Sequence, residues 1–126
     1  MKTILVVDDR PDIRYSTARV LAGAGYDVRE TATGREALRL AWLANLVVLD
    51  VALPDMDGFA VCRQLKADAA TANIPVVQKT AVYRDDDHRR RGIASGASEY
   101  LVEPVAPEVL LDAVRRLLSE TARSVS

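Results

Sequence analysis

The stretch VVLDVALPDMDG, residues 47–58, is an apolar run that ends in Asp50 and continues into a loop with two more acids. A strand that needed only a turn would be served by Gly, Asn or Pro, so an acid at its end indicates a site. Continuous apolar runs are typical of strands covered on both faces, as in a parallel sheet. The stretch therefore predicts a central parallel strand, Leu46–Asp50, with a functional carboxylate at its carboxyl end.

Four other short runs of apolar or β-branched residues have the length of strands, and a stretch of helical periodicity follows each of the five. These strands are predicted at Thr3–Asp8, Asp27–Thr31, Pro75–Thr80 and Glu99–Val102. Proline at a first position, a capping box and a terminal glycine are helix signals. They predict five helices. The first begins at Pro11 and ends before Gly25, the second begins after Thr33, and the fifth begins at Pro107. The third spans Gly58–Ala67 and the fourth Asp85–Ser95.

The alternation of strands and helices predicts right-handed βαβ units, and hence a parallel sheet with helices on both faces. The run Asp27–Thr31 alternates and carries charge, as expected of an edge strand, whereas the apolar first and third strands belong in the centre. The predicted fold is α/β, a single-domain (βα)5 doubly wound parallel sheet with strand order 2-1-3-4-5. Ligands of such sheets bind outside the carboxyl ends of the strands.

Length and composition limit the possible functions. The 126 residues predict one domain over residues 1–122, followed by a short tail, residues 123–126, that we expect to fray. A net charge of −1 gives no bulk attraction to nucleic acid or membranes. The acids at 85–87 precede the arginines at 89–91 by four residues each, so we expect these charges to pair on one helix. A single cysteine fits a reducing cytoplasm, and we expect a cytoplasmic protein.

Acidic residues end two neighbouring strands of the predicted sheet. Asp8 and Asp50 lie at strand ends, Asp9 follows one residue later, and Thr80 ends the fourth strand. Three crowded carboxylates repel one another, and a hard cation such as Mg²⁺ removes that penalty. A carboxylate beside the cation can attack a phosphoryl group and form an acyl phosphate. The Thr80 hydroxyl and backbone N–H groups after Asp50 can then receive the phosphoryl oxygens.

Four segments resemble receiver domains of bacterial two-component response regulators, of the chemotaxis-regulator type. They are ILVVDD at residues 4–9, VVLDVALPDMDG at 47–58, IPVVQKTA at 74–81 and GASEYLVEP at 96–104. The resemblance implies a flavodoxin-like fold in which Asp50 accepts phosphate and Thr80 and Tyr100 are the switch residues. It also implies a Mg²⁺ site formed by Asp50, Asp9, the carbonyl of Ala52 and, through water, Asp8. The proline of the last segment is usually cis in the family.

The same resemblance implies the partners. A sensor histidine kinase or a phosphotransfer protein would supply the phosphoryl group. A downstream signalling protein, or a second copy of the chain, would bind the face formed by the fourth helix, fifth strand and fifth helix. We expect this domain itself to contact neither nucleic acid nor membrane, and we expect a signalling module in a phosphorelay rather than an enzyme.

One position departs from the family pattern. The residue before the last proline is normally lysine, which pairs with the phosphoacceptor, and here it is Glu103. We therefore expect Glu103 to raise the energy of the phosphorylated state, because a phosphoryl group adds further negative charge. Lys79, one residue before Thr80, could compensate if its long stem reaches the site. Strand alternation favours the other arrangement, with Lys79 on the face opposite Thr80 and Glu103 in water.

Two other functions remain open from the sequence. A pseudo-receiver would use the same fold as a docking module that is independent of phosphorylation. A phosphatase with an aspartate nucleophile would need a second acid two residues after the first, where this chain has Ala52. Labelling by a small phosphodonor distinguishes the phosphorylated receiver from the pseudo-receiver.

Overall fold

The computed structural model describes the backbone of residues 1–125 and the side chains of residues 1–121. Five strands alternate with five helices, as predicted. The elements are β1 (Thr3–Val7), α1 (Pro11–Gly23), β2 (Asp27–Thr31), α2 (Gly34–Leu40), β3 (Leu46–Asp50), α3 (Gly58–Ala67), β4 (Val76–Thr80), α4 (Asp86–Ala94), β5 (Glu99–Val102) and α5 (Pro107–Val125). A 3₁₀ turn, Ala41–Leu43, follows α2.

All strands pair in parallel in the order β2-β1-β3-β4-β5, which confirms the predicted α/β class and topology. The register pairs Val7 with Leu49 and Asp50 with Lys79. Two predicted strand bounds are one residue too long. Asp8 lies just beyond β1, and Pro75, which has no N–H to donate to the ladder, lies just before β4.

Each face of the sheet has its own apolar core. On β1, Leu5 and Val7 pack on the side of α2 and α3, whereas Ile4 and Val6 pack on the side of α1 and α5. The central strands are buried on both faces, and this is why their sequences are continuously apolar instead of alternating. The packing therefore leaves only the ends of the strands free to form a site.

The helix ends follow local signals in the sequence. Pro11 opens α1, and Thr33 accepts a hydrogen bond from the Glu36 N–H at 3.2 Å before α2. The Glu36 carboxylate binds Arg39, so we see one half of the predicted capping box. The fourth helix is shorter than predicted at each end, because Asp85 is its N-cap residue and Ser95 its C-cap residue.

The last helix bears on two expectations. The predicted domain boundary at residue 122 falls within α5, and the side chains beyond residue 121 lie outside the described residues. The frayed tail, residues 123–126, therefore stays a prediction. Within the described part of the chain, no helix combines the length and apolar character that crossing a bilayer requires.

Candidate functional site

Three aspartates meet at the carboxyl edge of the sheet. Asp50 ends β3 and is 2% exposed, Asp8 follows β1 and is fully buried, and Asp9 is exposed. One carboxylate oxygen from each lies within 4.8 Å of the others. Because β1 and β3 are parallel neighbours, their ends bring these acids together from positions 41 and 42 residues apart in the numbering. The donor set consists of hard oxygens, which fits a small divalent cation such as Mg²⁺.

The other two acids of the loop after β3 have a structural role. The Asp55 carboxylate accepts hydrogen bonds from the N–H groups of Gly34 and Arg35 at 2.8 and 2.9 Å, which caps α2. The Asp57 carboxylate accepts one from the Phe59 N–H at 2.7 Å, which caps α3. Asp55 and Asp57 are therefore explained as helix caps, and their hydrogen bonds fix the loop beside Asp50.

A close backbone contact brings the start of α3 against the end of β3. A Cβ atom on Gly58 would lie 2.6 Å from the Val51 Cα atom and 2.7 Å from the Asp50 carbonyl oxygen. Only glycine allows this approach. The same loop borders an open cleft of about 420 Å³ whose lining includes Asp9 and Ala52, the two expected metal ligands besides Asp50.

A buried lysine reaches the acids from β4. Lys79 is 2% exposed, and its Nζ atom lies 2.9 Å from Asp8 Oδ2 and 3.8 Å from Glu103 Oε1. Its backbone is the register neighbour of Asp50, so the two side chains share one face of the sheet. Lys79 thus points away from the face of Thr80, as alternation requires, and still places its amine at the site.

The sequence analysis missed a second cation, Arg10. Its Nη2 atom lies 2.7 Å from Glu103 Oε2, 3.0 Å from Asp8 Oδ2 and 3.7 Å from Asp50 Oδ2. Its Nε and backbone N–H also donate to Asp8 Oδ1. The sequence did hold a signal for this role, because Arg10 directly follows Asp8 and Asp9 in a chain that lacks the family lysine. Glu103 is therefore paired with two cations and does not face water as a free charge.

The charges shift the acids in opposite directions. Burial, followed by the negative charge of Asp8, raises the pKa of Asp50 to about 6, and the Arg10 guanidinium opposes this rise. Burial also acts to raise the pKa of Asp8, but hydrogen bonds from Arg10 and Lys79 hold that pKa below its ordinary value. Near neutral pH both carboxylates are ionised, and Asp50 is the more basic of the two.

The expected switch residues lie on the other side of Asp50. The Thr80 hydroxyl oxygen accepts hydrogen bonds from the N–H groups of Val82 and Tyr83 at 3.1 and 3.0 Å. Tyr100 is buried, and its hydroxyl donates to the Tyr83 carbonyl oxygen at 2.8 Å. The loop after β4 therefore links Thr80 directly to Tyr100. The peptide bond between Glu103 and Pro104 is cis.

The arginines of α4 are arranged differently from the prediction. Arg90 pairs with Asp87, three residues away instead of four, and Asp85 pairs with His88. Arg89 and Arg91 lie over aromatic rings, 5.5 Å from the centre of the Tyr100 ring and 4.8 Å from that of Phe59. The prediction of pairing at a spacing of four was wrong, because two of the three guanidinium groups pack on the aromatic side chains under the helix.

Comparison with known proteins shows the family of the chain. The profile of the response regulator receiver domain matches residues 4–115, most of the chain. The chain belongs to the response regulator receiver family. A putative response regulator from Chloroflexus aurantiacus is 34% identical and superimposes with a TM-score of 0.88, covering 94% of this chain and 98% of that one. A CheY-like receiver domain from Methanospirillum hungatei is 29% identical, with a TM-score of 0.90 over 98% of both chains.

Curated relatives of this receiver domain are longer proteins. It is 41% identical over 125 residues to the DNA-binding dual master transcriptional regulator RpaA of a Synechocystis strain, covering 98% of this chain and 52% of the relative. It is 43% identical over 117 residues to the response regulator PleD of Caulobacter vibrioides, covering 90% of this chain and 25% of that protein. The receiver domain thus spans about half, or less, of these relatives.

Proposed function

We propose that this receiver domain accepts a phosphoryl group on Asp50, with Mg²⁺ as cofactor, and passes the change to partner proteins. The observation that carries the proposal is the grouping of Asp50 with Asp8 and Asp9 at one sheet edge, with ligand oxygens within 4.8 Å of one another. Of the two buried members, Asp8 and Asp50, it is Asp50 whose pKa is raised, to about 6, which leaves it ionised and comparatively basic at neutral pH.

The transfer is a nucleophilic substitution at phosphorus. A carboxylate oxygen of Asp50 forms the new bond to phosphorus, and the bond from phosphorus to the donor atom breaks. The electron pair of that bond leaves with the donor, an imidazole nitrogen of a phosphohistidine or the carboxylate oxygen of a small acyl phosphate. The product is a mixed anhydride on Asp50, and the loop N–H groups and the Thr80 hydroxyl would receive its oxygens.

The metal would be held by Asp9, Asp50 and the Ala52 carbonyl oxygen. When bound, Mg²⁺ supplies positive charge to the crowded carboxylates and the phosphoryl oxygens. Both carboxylate oxygens of Asp8 already accept hydrogen bonds from Arg10, and one also accepts from Lys79. This supports a water-mediated contribution of Asp8 rather than direct coordination.

Thr80 and Tyr100 would convert the new charge into a change of shape. A Thr80 hydroxyl that turns to donate to a phosphoryl oxygen weakens its bonds from the N–H groups of Val82 and Tyr83. The Tyr83 carbonyl accepts the Tyr100 hydroxyl, so the loop carries the movement to β5. The output face is formed by α4, β5 and α5, and it exposes half of Ile93 and half of Val109.

A histidine kinase or phosphotransfer protein is the proposed donor, and a downstream protein or a second copy of the chain the proposed receiver of the signal. The absence of nucleic acid contact by this domain and its cytoplasmic location remain predictions. Nothing in the site favours the pseudo-receiver alternative, since Asp8, Asp9, Asp50 and Thr80 are all at the sheet edge.

Intact mass spectrometry after incubation with Mg²⁺ and acetyl phosphate tests the proposal. We expect the wild type to gain the mass of one phosphoryl group and Asp50→Asn to gain none. Asp112→Asn, which changes an exposed acid of α5, is the matched control and should be labelled like the wild type. Labelling of Asp50→Asn at the wild-type level would refute the assignment, and an unlabelled wild type would favour the docking module.

A further inference from the structure

The unusual feature of this site is where its cations lie. The family lysine before the cis proline is replaced by Glu103, which reverses the charge at that position. Arg10, the last residue of the β1–α1 connection, places its guanidinium against this carboxylate at 2.7 Å. Lys79 lies 3.8 Å from the other oxygen of Glu103. The positive charges at this site thus come from the β1–α1 connection and from β4, and not from the end of β5.

The guanidinium is held by more than one contact. Two of its nitrogens bind the two oxygens of Asp8, in the bidentate geometry that arginine favours. The nitrogen nearest the phosphoacceptor, Nη2, also donates to Glu103. Arg10 is one-third exposed, and these contacts keep its charge 3.7 Å from Asp50 Oδ2. Arginine side chains otherwise keep their charged heads in water, and these contacts oppose that tendency.

We propose that Arg10, held in place by Glu103, is the cation that faces Asp50 and its phosphoryl group in this protein, in place of the missing lysine. The proposal rests on the function proposed above and names the residue that stabilises the phosphorylated state. A phosphoryl group adds three oxygens beyond the Asp50 carboxylate, and these can reach a guanidinium that is now 3.7 Å away. Arg10 contacts the reacting group, whereas Glu103 is a positioning residue.

This arrangement reverses the expectation for Glu103. A free carboxylate at this position would oppose the phosphate, but a carboxylate paired with Arg10 and Lys79 contributes little net charge to the crevice. Its effect is to orient the guanidinium towards Asp50. Lysine at position 103 would bring its own cation to the site and would repel Arg10. The Arg10–Glu103 pair and a lysine at position 103 are therefore alternative ways to place one cation at Asp50, and their effects should not be additive.

Rescue by the family residue tests the proposal. The rate of phosphoryl gain from acetyl phosphate with Mg²⁺ is measured for the wild type, Arg10→Gln, Glu103→Lys and the double variant Arg10→Gln/Glu103→Lys. We expect Arg10→Gln to lower the rate by at least about tenfold, because a hydrogen bond to a charged group contributes that much or more. The double variant should recover most of that loss. Arg19→Gln, an exposed arginine of α1 that contacts Tyr15, should match the wild type.

Each outcome bears on one of the two claims. A wild type that gains no phosphoryl mass refutes the proposed function, and it refutes the proposed role of Arg10 as well. A labelled wild type with an equally fast Arg10→Gln refutes only the role of Arg10. If Arg10→Gln is slow and lysine at position 103 does not restore the rate, the arginine is needed for another reason, such as the position of Asp8, and the proposal is wrong.

A readout without metal or phosphate tests the positioning role. Urea unfolding midpoints are compared for Arg10→Gln, Glu103→Gln and the double variant in buffer with a chelator. Because the side chains bind each other, we expect the double variant to shift the midpoint by clearly less than the sum of the single shifts. Additive shifts would show that Glu103 does not hold Arg10 and would overturn this part of the proposal.

Discussion

Replacing Asp50, the proposed phosphoacceptor, should stabilise the fold, although it would remove the proposed function. Asp50 is a carboxylate with a 3% exposed side chain beside the carboxylate of Asp8, and Arg10 compensates for only part of the cost. Asp50→Asn keeps the shape of the side chain and removes its charge. We therefore expect the free energy of unfolding of Asp50→Asn to exceed that of the wild type at neutral pH.

The size of the effect follows from the pKa of Asp50, about 6 in the folded protein against an ordinary value of 3.8. The folded state holds this proton more tightly, so Asp50 lowers stability progressively as the pH rises from the lower value through the higher one. Asp50 lowers the free energy of unfolding by about 3 kcal/mol near a pH of about 7.5 and by about 1 kcal/mol near a pH of about 4.5. The advantage of Asp50→Asn should grow by about 2 kcal/mol between these conditions.

Urea unfolding with a chelator present, at both pH values, measures this difference. The pKa of Asp8 is lowered, so its contribution to the free energy of unfolding falls in acid. Asp8 is present in both proteins, and this contribution therefore largely cancels from the comparison. Asp112→Asn is the control, and as an exposed change it should alter stability by less than about 0.5 kcal/mol at either pH. An advantage of Asp50→Asn that is the same at both pH values would refute the reasoning.

Three further predictions test the proposed metal site, the packing of α4 against Gln78 and Tyr100, and the loop after β3. Millimolar Mg²⁺ should raise the melting temperature of the wild type by binding the native state, and an equal rise in Asp9→Asn would contradict the proposed ligand set. In Gly92→Ala the new Cβ would lie 2.4 Å from Gln78 Oε1 and 2.5 Å from the Tyr100 ring, so urea unfolding should show a loss of about 1–3 kcal/mol. Its control, Gly23→Ala, meets no atom within 4 Å and should not be destabilised. Asp57→Ala should cost about 1 kcal/mol in the same assay by removing the α3 cap, and unchanged stability would show that the cap is dispensable.

The sequence by itself determined the fold and the location of the acids. Continuous apolar runs, helix signals and strict alternation were enough for five parallel strands in the order 2-1-3-4-5. These signals are local, since they depend on residues a few positions apart, and burial on both faces of a strand leaves a plain compositional trace. The rule that parallel strands end at one edge then located Asp8, Asp50 and Thr80 together.

Only the tertiary structure decided how the charges at that edge pair. Arg10 and Glu103 are 93 residues apart, and Lys79 and Asp8 are 71 apart. A long side chain can reach several partners, and which it reaches depends on the register of β4 beside β3 and on the path of two loops. Composition records the number of charges but not their distances, and Coulomb energy depends on distance. For that reason the reversed charge at position 103 looked like a defect in the sequence and is part of an ion-pair network in the folded chain.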